Sequence, residues 1–309
     1  MINLKLNFTI KGGRSMSDMS VRFLRAQLKK LTSAAEEEPI TVERKAQDFL
    51  GAVMLKLRPA NLLTQESIFE GFRAAMISPA APEGYGVVMY VHGGGYCCGD
   101  YEYARCFGSI LASKANARVF CPAYRLAPEY PYPAALRDVM VSYRFLLETF
   151  PAEKIVLAGE SAGGGLIYAM CLEMKNEGLP LPGGIVGMSP WTDLTSSGAS
   201  YRENADVDPS MSVFRLHRFA TLYTDKPEDP LCSPLFGDLS GLPESLLFVG
   251  GDEIMRDDAA VLHQRLLDAG CKSTLTIAPE MWHAYVLYGF KERQADTDAI
   301  CEFIRSIVK

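Results

Sequence analysis

The stretch Ile155-Val-Leu-Ala-Gly-Glu-Ser-Ala-Gly-Gly-Gly165 constrains this chain more than any other. Ile155 to Ala158 fit a short buried strand, and Leu166, Ile167, Ala169, Met170, Leu172 and Met174 open a helix. Gly159-Glu160-Ser161-Ala162-Gly163 leaves almost no room to turn between them. So abrupt a strand-to-helix bend puts its central residue in a strained backbone conformation. Glycine on both flanks removes the Cβ atoms that would clash there. This is the G-x-S-x-G elbow, which presents a serine hydroxyl at the carboxyl end of a sheet.

The flanking chain supplies that sheet. Phe72 to Ile77, Val87 to Val91, Arg118 to Pro122, Ile185 to Met188, Leu246 to Val249 and Thr274 to Ile277 read as strands. Arg105 to Lys114, Pro133 to Phe150, Asp257 to Ala269 and Ala295 to Val308 read as helices between or after them. Asp257 and Asp258 sit where N-caps belong, and Gly270 where a C-terminal cap belongs. The alternation predicts an α/β fold with a mostly parallel sheet covered on both faces. Earlier, Val21, Leu24, Leu28 and Leu31 mark one face of an amphipathic helix over 16–32, broken by Glu36-Glu-Glu-Pro39. The stretch up to about residue 65 has no clear pattern.

Composition narrows the function. With 309 residues, 48% of them hydrophobic, the chain can bury a large core. A net charge of -6 and four scattered histidines give no footing for nucleic acid or an anionic membrane. No apolar run approaches the length that spans a bilayer, so stable membrane insertion is not expected. Residues Met1 to Ser20 lack the apolar core of an export signal. With Cys121 in a strand-like run and Cys171 and Cys301 in helix-like runs among the eight cysteines, this predicts reduced thiols and a cytoplasmic location. Cys97-Cys98 is adjacent, not C-x-x-C, and signals neither zinc nor redox exchange.

Ligands of such sheets bind beyond the carboxyl ends of the strands, and chemistry recurs there. His92-Gly93-Gly94-Gly95-Tyr96 follows Val91. Consecutive glycines let backbone N–H groups approach a substrate oxygen, and losing one such donor costs about 3–4 kcal/mol in acyl transfer. His92 itself reads as a brace for the loop, because a better-placed base follows. Gly251-Asp252-Glu253 follows Val249. Asp252 is expected to orient an imidazole, with Glu253 its closest rival and Asp193 a more distant one. Met281-Trp-His283 precedes the last helix and completes the order Ser161, Asp252, His283. His217 and His263 lie in helix-like segments and read as surface or packing residues.

Taken together, His92–Tyr96, Tyr124-Arg-Leu-Ala-Pro-Glu129 with Pro133-Ala-Ala135, Gly159–Gly164, Ser189-Pro-Trp-Thr-Asp193, Gly251–Asp257 and Met281–His283 resemble the hormone-sensitive-lipase-like esterases of the α/β-hydrolase superfamily. The resemblance spans residues 87–290. It implies an α/β-hydrolase fold with a sheet of about eight strands and a serine carboxylesterase acting on small short-acyl esters. Ser161 would be the nucleophile, His283 the base and Asp252 its acid, with Gly94, Gly95 and Ala162 as oxyanion donors and no cofactor or metal. It also implies a helical cap built from about 1–50 and an insertion at about 194–230 in a catalytic domain of 51–309. Asp208-Pro209 would start a cap helix with Val213, Leu216, Ala220 and Tyr223 on one face. An amidase, an acyltransferase or a non-catalytic small-molecule receptor on the same fold stays open at this point, as does a homo-oligomer. Glu160 stands where many members have Asp, Gly165 where Asn is frequent, and Cys97 and Cys98 where small or apolar residues are common.

Overall fold

The computed structural model of the protein describes residues 18–35, 38–56 and 61–309. The first two positions of the helix expected over 16–32, most of the segment read for an export signal, and Glu36 and Glu37 lie outside them. In chain order come α1 (Asp18–Ala35), α2 (Ile40–Lys56), β1 (Leu62–Phe69), β2 (Phe72–Pro79), β3 (Val87–Val91), α3 (Tyr101–Ala115), β4 (Arg118–Ala123) and α4 (Ala134–Leu147). Then follow β5 (Ile155–Glu160), α5 (Ala162–Glu177), β6 (Gly184–Met188), α6 (Ser200–Glu203), α7 (Val213–Tyr223), β7 (Ser245–Gly250), α8 (Arg256–Asp268), β8 (Ser273–Ala278) and α9 (Gln294–Val308).

The strands form one sheet in the order β1-β2-β4-β3-β5-β6-β7-β8. β2 runs antiparallel to β1 and β4, and every other pairing is parallel. β3, β5 and β6 are buried along their whole length, which suits their unbroken apolar runs. The α4, α5 and α8 side chains fill one face of the sheet, and α3 and α9 the other. From β3 the chain steps outward to β4, then returns past β3 to β5. The switch point therefore falls between β3 and β5, where such sheets bind ligands. Their carboxyl ends carry the glycine loop and Ser161. β1 escapes sequence reading because it is an edge strand exposed over most of its length, so its apolar and polar residues show no alternation.

Over that end lie α1, α2, α6 and α7. Val21, Leu24 and Leu28 of α1 pack against the apolar cluster on the α3 and α9 side of the sheet, as their spacing predicts. The Lys29 ammonium and the Thr32 hydroxyl donate to the Asp206 and Pro209 carbonyls, at 2.6 and 3.0 Å. The buried Glu43 of α2 accepts from Arg215 Nε at 2.9 Å and pairs with the guanidiniums of both Arg215 and Arg218 on α7. One acid shared by two largely buried guanidiniums joins the two helical segments. Glu43→Ala should loosen that junction by about 3 kcal/mol, the scale of breaking a buried pair. The expected readout is faster protease cleavage within residues 18–56 and a raised KM, with kcat changed less. Unchanged cleavage would refute the junction.

Three local expectations are corrected. Asp208 does not start a helix: α7 begins at Val213, capped by the Ser212 hydroxyl, which accepts from Arg215 N. Val213 stays 39% exposed, while Leu216, Phe219, Ala220 and Tyr223 form the buried face. Asp257 and Asp258 do not cap α8, whose N-cap is Met255 with no side-chain bond. They reach across instead, Asp258 to the N–H groups of Thr192 and Asp193 and Asp257 to that of Ser200. Such unbonded N–H groups compete for a carboxylate as well as a helix's own first turn does.

Candidate active site

Ser161 lies between β5 and α5 at φ 56°, ψ -126°, a conformation that favours glycine. Three backbone bonds hold it there. Its N–H donates to the Met188 carbonyl, and its carbonyl accepts from the N–H groups of Trp191 and Gly165. A Cβ at Gly159 would lie 2.6 Å from the Gly163 carbonyl oxygen, and one at Gly163 would lie 2.2 Å from that of Val91. Gly165, unusual by the resemblance, has the same cause: a Cβ there would come within 2.0 Å of the Trp191 carbonyl oxygen.

His283 follows β8 and is buried. Its Nδ1 lies 2.9 Å from Oε1 of Glu253, not from Asp252. Glu253 is fully buried, and its second oxygen accepts from the Ser189 hydroxyl at 2.7 Å and the Gly250 N–H at 3.0 Å. Ser189 in turn accepts from the Ala284 N–H at 2.9 Å, so it ties the histidine loop to the same carboxylate. Asp252, expected as the acid, points the other way. Its carboxylate pairs with Arg25 of α1 at 2.7 Å, and its N–H is bonded to the Met281 carbonyl. Arg25 also donates to the carbonyls of Val207 and Glu280. Neighbours in a turn cannot both face the imidazole, and here the second one turns inward.

Burial disfavours the imidazolium of His283, but the Glu253, Asp208 and Glu160 carboxylates outweigh it and hold its pKa above the ordinary histidine value. A hydrogen bond to Glu253 puts the proton on Nδ1 and leaves Nε2 free to accept one. Asp193 plays no part: it closes its own turn on the N–H and hydroxyl groups of Thr195 and Ser197.

The glycine loop presses on the serine, since a Cβ at Gly93 would lie 2.9 Å from the Ser161 Cβ. The Gly93 N–H is taken by Glu160 Oε1 at 2.6 Å. Donors in this loop are therefore sought at Gly94 and Gly95, with φ of 103° and 61°. Cap helices cover both. A Cβ at Gly95 would strike the Phe219 ring at 2.4 Å, and one at Gly94 would meet Gln47 at 2.8 Å. His92 is a brace: buried, stacked 4.3 Å from Tyr124, with Nδ1 against the Gly93 carbonyl. Burial lowers its pKa to about 4 and keeps it neutral. The Cys97 and Cys98 N–H groups bond the Gly94 carbonyl, and burial pushes the Cys98 thiol up to about 12, so neither is a nucleophile at neutral pH.

Sequence and structure comparisons show which family the chain belongs to. Residues 88–287 match a family model described as alpha/beta hydrolase fold. An acetyl-hydrolase of Streptomyces hygroscopicus is 40% identical over 70% of this chain and 73% of its own length. An esterase of Acinetobacter venetianus is 33% identical over 72% and 75%. Among solved structures, an esterase from the bacterial hormone-sensitive lipase family superposes with a TM-score of 0.86 at 33% identity, covering 96% of this chain and all of the other. The esterase EstE5, from a crystal soaked in p-nitrophenyl butyrate, gives 0.84 at 30% identity over 93% and 97%. By the family model over residues 88–287 and by relatives of this identity and coverage, the chain belongs to the hormone-sensitive-lipase-like esterase family of the α/β-hydrolase superfamily and is a serine-type carboxylic ester hydrolase.

Proposed function

We propose that the protein hydrolyses small, short-acyl esters through an acyl-enzyme on Ser161, with His283 as base and Glu253 as the acid that orients it. The contact between Glu253 and His283 Nδ1 carries this reading, because it leaves Nε2 as the acceptor for the serine proton. As Ser161 Oγ bonds to the ester carbon, its proton passes to Nε2, and the carbonyl oxygen takes the negative charge. The N–H groups of Gly94, Gly95 and Ala162 would stabilise that charge. Collapse breaks the bond to the alkoxy oxygen, which leaves as the alcohol with the proton from His283. Water then gives a proton to Nε2 as it attacks the acyl carbon; collapse breaks the bond to Ser161 Oγ, which takes the proton back from Nε2, releasing the acid.

The helical segments 18–56 and about 194–230 act as the cap in this reading. Phe219 and Gln47 support it, since both lie against the oxyanion loop and narrow the approach to Ser161. That geometry, with the names of the relatives, favours small soluble esters. A cytoplasmic location is supported by eight thiols, none of them paired. Among the described residues no helix is long and apolar enough to cross a membrane.

A fluorophosphonate should label the folded protein at one residue, Ser161, and abolish turnover of p-nitrophenyl acetate and butyrate in proportion. Turnover that survives complete labelling, or labelling at another serine, would overturn the assignment.

A further inference from the structure

Glu160 is a buried carboxylate beside the nucleophile that the mechanism does not use. It closes β5, and its side chain turns toward β3. Oε2 accepts from the Tyr90 hydroxyl at 2.5 Å, and Oε1 accepts from the Gly93 N–H at 2.6 Å. Both bonds are at the short end for their types, as expected for bonds to a carboxylate. Tyr90 is itself fixed, buried in β3 with its ring packed on Phe107 of α3. The Gly93 backbone is also tied on its carbonyl side, to His92 Nδ1 and, more loosely, to the Tyr124 hydroxyl.

We propose that Glu160 is a positioning residue for the oxyanion loop: by holding the Gly93 N–H while anchored on Tyr90, it keeps Gly94 and Gly95 aimed beside Ser161. This rests on the reading of Ser161 as nucleophile. The residue before the serine is then fixed by what it must span. A carboxylate at the end of β5 has to reach both a phenol on β3 and an N–H in the loop just past it, and glutamate does so. Burial also pushes the Glu160 pKa up to about 7, against the Tyr90 and Gly93 hydrogen bonds, its own N–H and the His283 charge, which lower it. Tyr103 and Cys106 on α3, Cys121 on β4 and Tyr124 are the other titratable groups that sense it.

The test compares Glu160→Ala with Glu160→Gln. The alanine variant frees the loop and should lower kcat for p-nitrophenyl acetate by 30- to 100-fold, with KM within twofold. Its affinity for a trifluoromethyl ketone, whose adduct places an oxyanion in the same donors, should weaken by the same factor. Glutamine can still accept from Gly93 while donating to the Tyr90 oxygen, so it should restore kcat to within about fivefold of the parent at pH 8. Active sites counted by the p-nitrophenol burst, with melting temperatures, correct for misfolded protein. The proposal is overturned if Glu160→Ala keeps kcat within threefold, or if glutamine is as damaging as alanine per burst-titrated site. Failure of the fluorophosphonate to label Ser161 would instead remove the reading beneath it.

Discussion

Glu253→Gln is expected to lower kcat by about a thousandfold to ten-thousandfold, while Asp252→Asn lowers it by less than about threefold. The geometry argues the first through tautomers. The two oxygens of Glu253 face three donors: His283 Nδ1, the Ser189 hydroxyl and the Gly250 N–H. Glutamine has one oxygen, and Ser189 and Gly250 compete for it from one side. Its NH2 group is left to face Nδ1, which must then give up its proton and accept. The proton moves to Nε2, where the base needs a lone pair, and the same error in a serine protease costs about ten-thousandfold. Asp252 is 27% exposed and bonded to Arg25, outside the path of that proton. Its loss weakens a partly exposed ion pair worth about 1 kcal/mol or less.

The same pair of variants separates in pH. On the proposed mechanism His283 must be neutral to act, and its pKa lies above the ordinary histidine value, so kcat/KM should fall as pH drops through a midpoint above about 6.5. Removing the Glu253 charge removes the largest influence that favours the imidazolium. The residual activity of Glu253→Gln should therefore hold to lower pH than the parent, whereas Asp252→Asn should keep the parent midpoint. If Asp252→Asn proves the crippled variant and Glu253→Gln the mild one, the geometry is wrong.

That contest also marks how far the sequence could be read. The strand series, the tight turn at Ser161 and the place of His283 past β8 are legible because each is written locally: an apolar run, a glycine pair, a residue just past a strand. Which of two adjacent acids turns inward is not local. It depends on Ser189, just past the preceding strand β6 and 64 residues earlier, and on Arg25 drawing Asp252 outward from α1. The role of Asp258 escapes the sequence for the same reason, since its partners at Thr192 and Asp193 lie on another loop. Glu160 looked like a departure from a family habit until Tyr90 and Gly93 appeared as its partners. Charged side chains at strand ends take their roles from tertiary neighbours, and periodicity carries no record of those.

Ser161→Gly should separate activity from stability more sharply than any other substitution. Without the hydroxyl no acyl-enzyme forms, and kcat should drop by about 10^5- to 10^6-fold, leaving what the oxyanion donors and binding alone supply. Yet the protein should melt higher. At φ 56° and ψ -126° the Ser161 Cβ holds the backbone in a region costing about 1–3 kcal/mol, and glycine removes that strain. The greater freedom of glycine in the unfolded chain takes back about 0.5–1 kcal/mol. The net gain is about 1 kcal/mol, roughly 2 °C in a chain of this size. Ser161→Ala loses the hydroxyl equally but keeps the Cβ, so it should melt below the glycine variant. A glycine variant melting at or below the alanine one would mean that the elbow is not strained, and that the three backbone bonds around Ser161 hold a conformation it would adopt unaided.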